Sequence, residues 1–190
     1  MMKPNNSDIE KLRAKIWITS KARICSEARF RRYDLYSHLG TIYFSLCLIL
    51  ASIKMLGADV EPRADLFVIL SISLLVLSVV LWGFRFSHSA DRHRECYLRL
   101  QRLYSQSDAL DDLAAKYHDA LLAYPNHSSF DYRTFVVTEK FSKGSKLSDS
   151  EGTEIKASFG LVASYAFWML IEIVVVLAVI SFPPLVYMFL

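Results

Sequence analysis

Glu172 raises the sharpest chemical question in this sequence, because it is the only charged residue between Ala157 and Ser181. An ionisable side chain inside such an apolar run is costly in hydrocarbon and normally faces a protein interior, a partner charge or water. Ser164, Trp168 and Glu172 are spaced by four, and Tyr165 joins their helical face. Such a stripe could line an oligomeric pore, where a ring of carboxylates favours cations. It could equally belong to an interfacial helix whose carboxyl snorkels toward water. Ser45 and Ser52, and again Ser71 and Ser78, lie seven apart in two further apolar runs, the repeat of a left-handed helix seam. Small hydroxyl residues at that spacing serve close helix packing, with pore lining as the other reading.

The remaining reactive residue types do not assemble into a catalytic pattern. His127 and Asp131 occur in the segment YPNHSSFDY, residues 124–132, but no nucleophile arrangement, phosphate loop or carboxylate pair accompanies them. Asn126 and His127 are expected to bond backbone ends at a turn between helices, with Ser128 or Ser129 capping the next helix and Asp131 in its first turn. A ligand-sensing role for this element stays open. His88, Asp91, His93 and Glu95 are metal-capable, yet the two histidines are five apart and lack the i, i+4 spacing of a helical zinc motif. They are expected on a solvated surface. Cys25, Cys47 and Cys96 share no CxxC spacing and read as free thiols. No metal, cofactor or enzymatic activity is therefore expected.

The elements that carry these residues are membrane-length. The chain has 190 residues, 53% of them hydrophobic and gathered in blocks, which leaves little for an independent catalytic domain. Leu39 to Leu56 holds one charge, Lys54 near its end, and Leu66 to Phe84 holds only apolar residues, Gly83 and three serines. Nineteen residues at a rise of about 1.5 Å span about 28 Å, close to the hydrocarbon thickness. Gly57 to Asp65 is a polar turn that sends the second run back across. The long charged segment ahead of the first run does not fit a cleaved signal peptide, so that span is expected to persist.

Residues 1–38 predict a basic amphipathic helix opened by a Ser7/Glu10 capping box. Ser87 to about Ala123 predicts one long helix with Tyr97, Leu100, Leu103, Tyr104, Leu113 and Tyr117 in an apolar stripe. That stripe is expected to join the N-terminal helix in a coil, completed by neighbouring protomers. The whole reads as an all-α membrane protein: a helix over 1–38, a two-span hairpin over 39–84 (39–56 and 66–84), and helices over 85–141. A flexible linker over 142–156 and a C-terminal hydrophobic segment over 157–190 follow. Pro183 and Pro184 would close the third span, with a re-entrant or interfacial helix as the alternative. Arg29, Arg31 and Arg32 precede the first span and Arg85, Arg92 and Arg94 follow the second. The positive-inside rule then places the N-terminus in the cytoplasm and this basic flank against lipid headgroups. The charge asymmetry concerns the bilayer, and no direct nucleic-acid binding is expected.

The order of parts, with RFRRYDLYSHL leading into the hairpin and YPNHSSFDY closing the long helix, resembles the SLATT family of bacterial membrane effector domains. It is most similar to the subfamily with an Asn-His-x-x-x-Asp-Tyr element, matched here by Asn126, His127, Asp131 and Tyr132, and an extra C-terminal hydrophobic segment. The resemblance implies an inner-membrane effector of an antiphage conflict system. Such an effector would homo-oligomerise and permeabilise the bilayer once triggered by an upstream sensor protein or nucleotide second messenger. The alternative is a membrane anchor or scaffold that recruits a soluble partner through its helical coil.

Overall fold

The computed structural model describes residues 6–56, 64–106, 109–142, 147–148, 151, 153–155 and 158–189. With no proline after Pro4 and Gly40 as its only glycine, the first part of the chain forms one helix of 51 residues, α1 (Asn6–Leu56). It is followed by α2 (Ala64–Gly83), α3 (Phe86–Ser105), α4 (Leu110–Ala123), α5 (Ser129–Val137) with a π-turn at Thr138–Ser142, and α6 (Phe159–Phe189). Most of the expected turn at Gly57–Asp65 lies outside the described residues. The chain divides into two compact units, Met1–Arg31 with Ser87–Phe167, and Arg32–Phe86 with Trp168–Leu190.

In the first unit, the single helix predicted over 87–123 is two. Ser105 Oγ donates to the Arg102 carbonyl and Gln106 N to the Leu103 carbonyl, closing α3, while Ala109 is extended and starts α4. Hydroxyl and amide side chains that compete for backbone groups favour such an ending. The two helices form an antiparallel hairpin: Arg92 donates to the Ala123 carbonyl at 2.6 Å, and Cys96 Sγ lies 3.9 Å from the Ala120 carbonyl. Both rest on α1, where Ile16, Leu100 and Leu113 are fully buried together with Leu103 and Ala120. The apolar stripe thus finds its partner in the same chain.

A second core joins Phe135, Val136 and Leu147, with Trp17 edge-on to Phe135 at 5.6 Å. Leu147 belongs to the expected linker, and the described part of that segment is not a free tether. Ile155 N donates to the Leu147 carbonyl at 2.8 Å, and Ser148 pairs with Glu154 in an isolated antiparallel bridge. The Ser/Gly/Lys composition around Leu147 and Ile155 hides two apolar anchors.

The second unit exposes what a soluble protein hides. Ile53 of α1, Leu75 and Val79 of α2, and Leu177 of α6 each leave more than half their surface uncovered. Among the described residues three helices are long and apolar enough to cross a membrane, and the protein is an all-α membrane protein. Within this unit α1 and α6 run parallel, pairing Tyr33 with Glu172, Tyr43 with Ile180 and Phe44 with Phe182. Contrary to the expected closure at Pro183 and Pro184, α6 continues to Phe189. Proline has no N–H, so Pro184 leaves the Ile180 carbonyl without its helical donor. Tyr43 Oη supplies one, at 2.9 Å. At the other end of the unit, α2 stops where Arg85 takes a left-handed conformation, φ 49°, before α3 begins.

Candidate functional site

Two polar centres stand out, one in each unit. In the first, Ser128 caps α5 and Asp131 returns the bond, completing a capping box. The Asp131 side chain is 1% exposed and also binds α1, accepting from Arg29 Nε at 2.8 Å, Arg29 Nη2 at 3.0 Å and Ser26 Oγ at 2.7 Å. Burial pushes this carboxyl up, but the bonds from Arg29, Ser128 and Ser26 outweigh it and hold the pKa below the ordinary carboxylate value. Asp131 therefore caps one helix while anchoring it to another.

Arg23 lies beside it, fully buried, and donates to the Pro125 carbonyl at 2.7 Å. His93, expected on a solvated surface, is 3% exposed and stacks on Phe30 at 5.5 Å. Burial and then the charge of Arg23 lower its pKa to about 4. His127 is lowered by the same two causes in the same order. Neither histidine Nδ1 nor Arg23 Nε has a hydrogen-bond partner among the described residues. Asn126 Oδ1 accepts the His127 backbone N–H at 3.0 Å, and Tyr132 packs on the second core. Arg23, Ser26 and His93 escape sequence reading: a buried arginine in a basic helix looks like any solvated one until its partner, a hundred residues away, is known.

In the second unit Glu172 accepts from Tyr33 Oη at 3.0 Å and lies 3.8 Å from Arg32. Tyr33 precedes Leu39, the expected start of the first span, by six residues or about 9 Å of helix. The expected polar stripe of α6 is thus divided. Ser164 takes a hydrogen bond from Arg133 in the first unit, while Trp168 and Glu172 belong to the second. Ser45, Ser52, Ser71 and Ser78 all return their hydroxyls to carbonyls four residues back on their own helices. That is how isolated hydroxyls are satisfied in hydrocarbon.

The basic flank is largely engaged inside the chain. Arg29 is tied to Asp131 with 17% of its side chain exposed; Arg31 pairs with Glu27 and with Asp91 at 2.9 Å, and Arg32 lies 3.8 Å from Glu172. Arg92 covers the Tyr124 ring as well as binding the Ala123 carbonyl. Arg94 is exposed, and Arg85 occupies the α2–α3 junction.

The family model described as "SMODS and SLOG-associating 2TM effector domain family 5" matches residues 5–190. No curated protein and no solved structure matches the chain.

Proposed function

We propose that this chain, which belongs to the SMODS and SLOG-associating 2TM effector domain family 5, acts in the inner membrane of a bacterium as the pore-forming arm of an antiphage conflict system. An upstream sensor protein or nucleotide second messenger triggers it, copies of the chain oligomerise, and the permeabilised bilayer aborts infection. The observation that carries this reading is a carboxylate on an otherwise apolar helix, latched within its own unit by Tyr33 and Arg32. While the Tyr33 hydroxyl holds one Glu172 oxygen and Arg32 stands 3.8 Å from the other, the unit is at rest. Release on assembly would turn a ring of such carboxylates toward a shared lumen, where they attract cations. A trigger need only favour the released state by differential binding.

The reading is tested by reconstituting the full chain in vesicles and measuring ion flux with and without an activating partner from its genomic neighbourhood. A cation-selective flux is expected from the native chain, and Glu172→Gln is expected to reduce cation over anion preference several-fold, the order of one lost charge per subunit. Absence of flux under every activating condition contradicts it.

The scaffold reading is favoured by a different observation, the exposed apolar side chains Leu122 and Phe141 in the first unit, which a soluble partner could cover. Exchanging the spans for an unrelated hairpin separates the two: a scaffold keeps its function and a pore loses it.

A further inference from the structure

The second unit contains a cavity of about 550 Å³ between α1 and α6, bordered also by Leu81 of α2 and by Phe86, within the range of about 300–1,000 Å³ typical of sites for one small ligand. On α1 its lining runs from Tyr33 to Tyr43, and on α6 from Trp168 to Ile180. At about 1.5 Å per residue these lengths are roughly 15 and 18 Å, of which about 9 Å on α1, from Tyr33 to Leu39, precedes the expected span at headgroup level and the rest enters the hydrocarbon. Polarity changes along that depth. Tyr33, Tyr36, Ser37 and Glu172 line one end, whereas Gly40, Val175, Val176 and Val179 line the middle. At the far end the Tyr43 hydroxyl is committed to the Ile180 carbonyl. Gly40 leaves the space open: it has no side chain, and a Cβ there would meet Val179 at 3.7 Å.

A cavity with apolar walls stays dry, and in a bilayer the apolar molecule at hand is an acyl chain. The polar end selects its headgroup. Glu172 lines that end and Arg32, outside the lining, lies 3.8 Å from it, longer than a hydrogen bond, so the guanidinium keeps donors for a phosphate and the carboxylate keeps acceptor capacity for an ammonium. We propose that this cavity binds one acyl chain of a zwitterionic aminophospholipid of the phosphatidylethanolamine type, with its phosphate on Arg32 and its ammonium on Glu172. The inference requires only that the second unit lies in a bilayer, so it stands apart from pore formation.

Trp168 lines the cavity and reports on it. With Trp17→Phe and Trp82→Phe in the full chain, Trp168 is the remaining indole. The chain is reconstituted in phosphatidylcholine vesicles doped with phosphatidylethanolamine, phosphatidylcholine or phosphatidylglycerol brominated on the acyl chain. Brominated phosphatidylethanolamine is expected to quench Trp168 at a mole fraction about tenfold lower than the other two, the scale of one charge-assisted contact. Gly40→Val and Val176→Phe, which fill the cavity from opposite helices, should each remove the high-affinity quenching. Gly40→Ala, whose methyl fits at ordinary contact distance, should keep it. Arg32→Gln and Glu172→Gln should retain quenching but level the three lipids. Equal quenching by all three in the native chain means ordinary boundary lipid and overturns the proposal. So does absence of quenching combined with disulfide cross-linking of Val176→Cys between copies, which makes the occupant a second copy's helix.

Discussion

Asp131 accepts bonds from three side chains and from the Ser128 backbone N–H, and its environment dictates what removing it does. It is a buried carboxylate that accepts from Arg29, Ser26 and Ser128. Deleting one member of such a pair leaves the other charge buried and unpaired, a loss of about 3–5 kcal/mol. Arg29→Ala, which strands the 1% exposed Asp131, should therefore destabilise the first unit by that amount in denaturant unfolding, while Asp131→Ala strands the 17% exposed Arg29 at a smaller charge cost but also removes the capping box of α5. The neighbouring histidines set a pH dependence of definite sign. His93 titrates at about 4 in the fold, lowered by burial and by Arg23, with Arg29 and His127 adding to the effect and Asp131 opposing it. Unfolded, it would take a proton near pH 6.5. Its contribution is complete above that value and declines as pH falls toward 4, a loss on the order of 3 kcal/mol. His127, lowered in the same direction, adds to the decline. Asp131, whose pKa is depressed, keeps its full contribution above the ordinary carboxylate value and loses it as pH falls from there through its own lowered value. Unfolding free energies measured between pH 7 and pH 4.5 should fall, and His93→Phe should flatten that slope while preserving the stack on Phe30.

At the scale of elements, hydropathy makes the long helices legible, because an uninterrupted apolar run has no other solvent. The Ser128 cap is legible too, since its chemistry is local. What escapes is whatever depends on a distant partner. The break between α3 and α4 is a choice between one long helix and a hairpin that buries Leu103 and Leu113 on Ile16, and no property of residues 105–109 alone decides it. Likewise Leu147 and Ile155 read as part of a polar tether until the core they anchor is seen. The diproline in α6 is the clearest case. Pro183 and Pro184 argue for a helix end, yet the Tyr43 hydroxyl from the parallel α1 satisfies the carbonyl that Pro184 leaves open. An unsatisfied carbonyl in hydrocarbon costs several kcal/mol. Tyr43→Phe should therefore loosen α6 beyond Ile180, visible as faster amide exchange in residues 181–189 with little change earlier in the helix.

At the scale of the molecule, the chain separates two tasks between two compact units. The first is a small helical unit built on α1, α3, α4 and α5, locked by the Asp131 centre and able to change stability with its environment. The second is an assembly of membrane-length helices in which Glu172 is the sole carboxylate of α6 and is held by α1. The proposed function depends on that hold being reversible. The most direct measurement is the membrane potential of cells expressing the chain without its trigger, compared between the native sequence and a variant that cannot form the latch. Tyr33→Phe combined with Arg32→Gln should depolarise cells in which the native chain is silent, and adding Glu172→Gln should lessen that depolarisation. If the double variant, present in the membrane at native levels, leaves the potential unchanged, Glu172 is not a restrained pore residue and the account fails.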